Sequence, residues 1–424
     1  MLKLSLEPDK SLERTLPAAA RQLERLVEEG ISEGIVRVRV YPRPESILSS
    51  IPILAVLGSF GIRPIYKVSV RPPPRIDTPT VVIGYNNPSY KSSEISSMLL
   101  SISHVAETPP PPGATYVTGQ GSLPAILGLI FTSTGGTYSR REHLLLLLAG
   151  AYWGSYIKKT GKMHGLDRIF YEALIEAGLN LEVVNTLKVY KPGTHTICEG
   201  IASTLDPYYP GLTGAGEHCI ELLQGNGAGE YTSRVAATLK RDELERIALI
   251  ILSYIREYTG RDVDVGEYIS GLVTSKTLNY DPRLRSNSIL YAMDSRGDYS
   301  LPLSLATRLE DLVESLENHH LSVSKPFADF IEDARLIKTR IQPWIRGYKV
   351  NLAEGISPLF AWRALRYKGR VNEAILLFED GDTLCASTLQ VEEALGYGES
   401  RKLVEVKAAH EEGLRLCVKE SVTR

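Results

Sequence analysis

Apolar residues recur at helical spacing from Leu12 through Leu16, Ala19, Leu23, Leu26 and Val27, with Ser11 placed to cap the first turn and Gly30 to close the last. At Ile35–Val40 the period changes to two, with Arg37 and Arg39 interleaved between valines, which predicts a half-buried strand. Glu45 to Phe60 reads as a helix, while Pro64 to Val70, Thr80 to Gly84 and Leu99 to His104 read as strands. Strands alternating with helices predict an α/β fold built on a doubly wound, mostly parallel sheet. The proline clusters Arg71 to Arg75 and Glu107 to Gly113 cannot lie inside regular elements and mark loops.

Beyond Gly121, Ser122 to Ile130 and the strongly apolar Glu142 to Trp153 predict two buried helices, and Arg241 to Glu257 a third. Residues 233–324 read as a helical connector between a first domain, 1–232, and a smaller α/β domain, 325–424. In the latter, strands are expected near Val350, at Glu373 to Phe378 and at Leu414 to Val418, with a helix at Ser357 to Leu365.

A chain of 424 residues, 43% of them apolar, exceeds what one core usually supports, so two or three domains are expected. The formal net charge of -2 excludes a protein that coats nucleic acid by bulk charge, so any polyanion site must be local. The four cysteines, Cys198, Cys219, Cys385 and Cys417, are too few for a disulfide scaffold and are expected to be buried thiols in a reducing cytosol. The N-terminus places acids and a proline where a signal peptide needs an apolar stretch. The apolar runs Leu144 to Gly154 and Ile51 to Ile62 are too short to span a bilayer, so a soluble, cytoplasmic protein is expected. Only five Gln occur among plentiful charges of both signs, the lean of a heat-adapted composition.

Two blocks carry a family likeness: LLLLAGAYWGSYIKKTGKMHGLDRIFYEALIEAGL at Leu145 to Leu179, and STLDPYYPGLTGAGEHCIELLQ at Ser203 to Gln224. With the N-terminal strand order and the domain layout, they resemble the archaeal RecJ-like DHH phosphoesterases. That group includes the GINS-associated nuclease and the relatives of eukaryotic cell division cycle protein 45. The resemblance covers most of the chain and implies a DHH-like domain at 1–232 and a DHHA1-like domain at 325–424.

The chemistry of that family needs two divalent cations held by Asp and His side chains. Where the family has an Asp-x-Asp-Gly-type loop, this chain has Tyr41, Pro42, Arg43, Pro44, Glu45 and Ser46, leaving one carboxylate beside an arginine. The second acidic position is replaced by Tyr85, Asn86 and Asn87, and the name-giving Asp-His-His by Ser103, His104 and Val105. No acid occurs between Glu142 and Asp167, and that loop carries Lys158, Lys159 and Lys162. The C-terminal Gly-Gly-Gly-His-type loop corresponds to Lys407, Ala408, Ala409, His410, Glu411, Glu412 and Gly413. Glu45, Tyr85, Ser103 and His104 therefore mark degenerate positions, with no metal and no cofactor expected.

His195, Cys198, His218 and Cys219 total four zinc-type ligands, but adjacent His218 and Cys219 would have to turn onto one ion, so the spacing favours ordinary packing. His319 and His320 end an acidic helix and are expected to be exposed. Gly119 and Gly121 lack the third glycine of a dinucleotide loop and read as a turn before Ser122 as N-cap; no Walker A sequence occurs. Between Arg335 and Arg370, nine basic residues face the single acid Glu354, with Trp344, Tyr348, Trp362 and Tyr367 interleaved. Cations that track phosphates and rings that stack on bases are the recipe for single-strand binding. This makes Lys338, Arg340, Trp344, Arg346, Lys349, Arg363, Arg366 and Arg370 the candidate DNA-binding set, against the alternative of a solvated basic face with the aromatics in the core.

The resemblance implies a non-catalytic replication factor that binds the GINS complex, the MCM helicase ring and single-stranded DNA. Two alternatives stay open: a metal-dependent single-strand exonuclease or phosphodiesterase with relocated ligands Glu45, Asp77 and His104, and an adaptor that never touches nucleic acid.

Overall fold

The computed structural model describes residues 10–424 except 87–89, 105–108, 136, 137, 139, 155–162, 275–279, 343, 344, 373, 381, 382, 397–401, 405–409 and 420–424. The described residues fall into two compact units, one taken from the chain up to Leu179 together with Tyr299–Leu312, the other from Asn180–Asp298 and from Val313 onward.

In the first unit, α1 (Lys10–Glu33) precedes β1 (Ile35–Val40), α2 (Pro44–Ser59), β2 (Arg63–Val68), β3 (Thr80–Ile83), β4 (Leu99–Ser103) and β5 (Ala114–Thr118). Then follow α3 (Leu123–Ser133), α4 (Arg141–Ala151) and α5 (Leu166–Glu176). All five strands pair in parallel in the order β2-β1-β3-β4-β5. The valines of β1 are fully buried while Arg37 and Arg39 are half-buried, as the alternation predicts. On the valine side Gly30 of α1 abuts Val36, so closely that a Cβ there would collide. The crossovers β2 to β3 and β3 to β4 carry no α-helix among the described residues, only a 3-10 turn at Ser92–Glu94. Loops therefore lie over the arginine side: Asp77 reaches Arg37, and Tyr90 sits near Arg39.

The second unit opens with β6 (Glu182–Leu187), α6 (Ile197–Ser203), α7 (Gly216–Gly225), α8 (Arg241–Thr259), α9 (Val265–Tyr268), β7 (Ile269–Thr274) and α10 (Pro282–Arg296). Helix α11 (Leu301–Thr307) belongs to the first unit, where it packs on α2. The chain continues through α12 (Leu309–Ser322), α13 (Ser324–Asp333), β8 (Ile337–Gln342), β9 (Ile345–Lys349), α14 (Pro358–Tyr367), β10 (Ile375–Asp380), β11 (Thr383–Ser387), α15 (Thr388–Leu395), β12 (His410–Glu412) and β13 (Arg415–Lys419). A six-stranded mixed sheet forms in the order β12-β13-β11-β10-β9-β8, and β6 pairs with β7. The observed architecture is thus α/β with a parallel five-stranded sheet and a second sheet-bearing unit.

Two expectations are corrected. The cysteines are not free thiols but pair as Cys198–Cys219, joining α6 to α7, and Cys385–Cys417, joining β11 to β13. The first disulfide consumes both sulfurs of the four-residue zinc set weighed above. His320 is not exposed: it is 1% accessible, its Nε2 lies 3.1 Å from the Tyr190 hydroxyl, and the rings of Tyr291 and Phe360 surround it. Burial pushes its pKa down to about 3, so it packs as a neutral ring. His319 is exposed as expected. No helix among the described residues is long and apolar enough to cross a membrane.

Candidate functional site

Parallel strands bring their C-terminal ends to one edge of a sheet, where loops collect side chains from distant parts of a chain. Here β1 delivers Tyr41 to Glu45, β3 delivers Gly84 and Tyr85, β4 delivers Ser103 and His104, and the turn after β5 delivers Ser122.

Glu45, in the first turn of α2, is buried. Its Oε1 lies 2.7 Å from His104 Nε2 and 3.8 Å from Arg43 Nη1, and its Oε2 accepts the backbone N–H of Leu123 at 3.3 Å. Burial acts to raise its pKa, yet the hydrogen bond and charge of His104, then Arg43, hold the carboxyl below its ordinary value. His104 shows the converse: burial disfavours the imidazolium, but Glu45 raises its pKa above the ordinary value. The pair is an internal ion pair, in which the imidazolium takes the place beside Glu45 that a cation would need.

A second carboxylate enters the same region from α5. Asp167 is buried in that helix's first turn; its Oδ1 accepts the Ser122 hydroxyl at 2.5 Å and the Ser122 N–H at 3.3 Å. Ser122 in turn caps α3 by accepting the N–H of Ala125 at 3.2 Å. Burial lifts Asp167 to about 6, with Glu45 adding to the rise and Ser122 and His104 opposing it. Sequence reasoning missed Asp167, because it follows the loop in which an acid was sought; the only signal was its place three residues after His164, at a helix start.

Tyr85 turns away from this edge. Its hydroxyl donates to the Ser69 carbonyl at 2.6 Å, and its ring meets Tyr41 edge-on at 5.4 Å, so a buried phenol occupies the second acidic position. Gly84 has φ +84, and a Cβ there would fall 2.1 Å from Ser46 Oγ, which only glycine avoids. Ser103 is buried. Asp77 does not join Glu45 and His104 as a relocated ligand: it lies 2.8 Å from Arg37 Nη1 on the exposed side of the loop. Asn87, Val105, Lys158, Lys159, Lys162 and Lys407 to Ala409 lie outside the described residues.

The donor set does not fit the pair of divalent cations that the resemblance would call for. Both oxygens of Glu45 are engaged by internal donors, Asp167 is engaged by Ser122, and Arg43 adds positive charge beside them. No group of three or more His, Cys, Asp or Glu placed to hold an ion occurs among the described residues. Hard cations are held by several anionic oxygens free to coordinate, and here they are not free.

The basic segment resolves into distinct roles. Arg363 is corrected out of the candidate DNA-binding set. It is 4% exposed and its guanidinium is held by Asp206 and by Glu393 at 2.9 Å. Trp362 and Tyr367 are likewise not stacking platforms: Trp362 is buried and donates from Nε1 to the Ala374 carbonyl at 2.8 Å, and Tyr367 packs on Tyr268. Lys349 pairs with Glu379 and Lys368 with Glu332, while Arg370 binds the Ile331 and Ala334 carbonyls. Arg335, Lys338, Arg346 and Arg366 are exposed. Lys338 and Tyr348 are register partners in the β8–β9 hairpin, as are Arg340 and Arg346, and the side chain of Arg340 lies outside the described residues. Trp344 lies outside the described residues.

No protein-family model matches the chain, and no curated protein matches its sequence. Its fold is similar to that of CDC45 from Entamoeba histolytica, with 9% identity, a TM-score of 0.56 and coverage of 96% of each chain. Weaker likenesses are to exonuclease RecJ bound to manganese (11% identity, TM-score 0.39, 96% of this chain and 90% of that one) and to RecJ from Thermus thermophilus in complex with Mn2+ (10% identity, TM-score 0.34, 96% and 52%). The first of these places the chain's architecture as CDC45-like.

Proposed function

We propose that this chain is a non-catalytic, CDC45-type replication factor: a DHH-like scaffold, with a DHHA1-like C-terminal domain at 325–424, that binds the GINS complex and the MCM helicase ring and contacts single-stranded DNA. One observation carries the reading. At the sheet edge where the family seats its ions, His104 and Arg43 neutralise Glu45, and Ser122 ties down Asp167, inside a CDC45-like fold. A phosphodiesterase needs a metal-activated water there; a scaffold needs only that the edge be satisfied internally.

The DNA contact rests on the exposed cations Lys338, Arg346 and Arg366. Exposed cations of this kind can track the phosphates of a single strand. The experiment is affinity capture of GINS and MCM subunits on the full chain, run beside a manganese-dependent nuclease assay on a labelled single strand. Capture without cleavage supports the reading; cleavage that is lost in Glu45→Gln rejects it in favour of the exonuclease.

A further inference from the structure

Arg37 and Arg39 stand two residues apart on β1 and so share one face of the parallel sheet, the face crossed by loops. On the neighbouring edge strand Lys67 is the register partner of Arg39 and is exposed. Three cations thus lie side by side, about 5 to 7 Å apart by strand geometry. Only one has an acidic partner: Asp77 holds Arg37 Nη1 at 2.8 Å. The Arg39 side chain has no hydrogen bond or ion pair among the described residues, and the Nε atoms of both arginines are buried without a partner. Tyr90 is near enough for its phenol to feel both guanidiniums as well as the Glu94 carboxylate, and its buried hydroxyl is also unpartnered. Tyr116, on the same sheet row through Val82 and Ser101, hydrogen-bonds the Tyr90 backbone and holds that segment in place.

A half-buried guanidinium without a counter-ion is costly, because arginine does not shed its proton. Burial and the charge of Arg37 both act against the Arg39 cation. The geometry points to an oxyanion site for a phosphoryl group, free phosphate or a phosphate ester, formed by Arg37, Arg39, Lys67 and Tyr90. With Asp77 balancing Arg37, Arg39 and Lys67 leave two positive charges, which match a phosphate dianion. The donors also outnumber what the two oxygens of a carboxylate can use. The opening lies at the sheet's edge, where Arg63, Ile65 and Lys67 are exposed. This site lies on the face of the sheet and does not depend on the replication reading.

The test is the thermal midpoint of the full chain in inorganic phosphate against chloride at matched ionic strength. Phosphate at about twenty times its dissociation constant raises the midpoint by about 2–4 °C. Arg39→Gln abolishes that shift, and Lys67→Gln, at an exposed position that leaves folding intact, reduces it. Repeating the titration with an oligothymidylate present separates the sources. If the oligonucleotide cancels the added effect of phosphate, the site takes backbone phosphates; if phosphate acts undiminished, it takes a small phosphate. No shift in the wild type, an unchanged shift in both variants, or an equal shift with glutarate overturns the assignment.

Discussion

His104 and Glu45 meet at 2.7 Å across the C-terminal edge of the parallel sheet, 59 positions apart in the chain, and each moves the other's ionisation toward its charged form. The pair stabilises the first unit only while both groups are charged.

That dependence sets a pH window. The raised pKa of His104 gives stability that is complete below its unfolded value near 6.5 and is lost as pH climbs through the higher folded value. The lowered pKa of Glu45 gives stability that is complete above its unfolded value near 4.5 and is lost as pH falls through the lower folded value. Denaturant midpoints of wild type and His104→Gln are therefore expected to differ most between about pH 4.5 and 6.5 and to converge above. Asp167, raised from 3.8 to about 6, adds a loss of stability as pH rises through that range, and because the charge of His104 opposes that rise, the difference between the two proteins reports Asp167 together with the pair.

Glu45→Gln leaves His104 without its carboxylate and Arg43 without its neighbour. Because His104 is partly solvent-exposed, the cost is expected at about 2 kcal/mol rather than the larger value of a fully buried pair. Chemical denaturation at pH 6 measures it, and a loss under about 0.5 kcal/mol would show the contact to be incidental.

Arg363 and Arg366 are one helical turn apart but should fail differently. Arg363→Ala removes the buried guanidinium that Asp206 and Glu393 share and should destabilise the second unit by about 3 kcal/mol. Arg366→Ala with Lys338→Ala and Arg346→Ala should leave stability within about 0.5 kcal/mol. That triple change should flatten a single-strand binding slope of about -3 in log affinity against log salt, the value for roughly four phosphate contacts. Fluorescence anisotropy across a salt series reads the slope.

The disulfides close segments of 21 and 32 residues. Under the chain-entropy account each is worth about 3 kcal/mol, so dithiothreitol should lower the melting temperature measurably. Thiol titration of the unfolded chain should find no reactive sulfhydryl before reduction.

Much of the first unit was legible because β-branched alternation and apolar helices leave clear periods: Ile35–Val40 is a strand with those bounds, and α2, α3 and α4 fall within a few residues of their expected ends. Ala114–Thr118 escaped notice because it follows a proline run and carries only one buried residue. Charge counting could not separate Arg363 from Arg366, since a run of cations does not say which of them meets a carboxylate brought from position 206 or 393. Nor could spacing reveal the disulfides, or the burial of His320, whose cage comes from Tyr190, Tyr291 and Phe360 on distant segments. Of the site, Glu45 and His104 were legible as survivors of a pattern; Asp167 was not, because it reaches the edge from a helix start rather than from the loop before it.

The claim on which the rest depends is that internal donors, and not ions, satisfy the carboxylates at this sheet edge. Anomalous diffraction from crystals soaked in manganese near pH 7.5 tests it directly. His104 should remain on Glu45 with no anomalous peak between Glu45 and Asp167; two manganese peaks there, with His104 swung away or turned to coordinate, would contradict it.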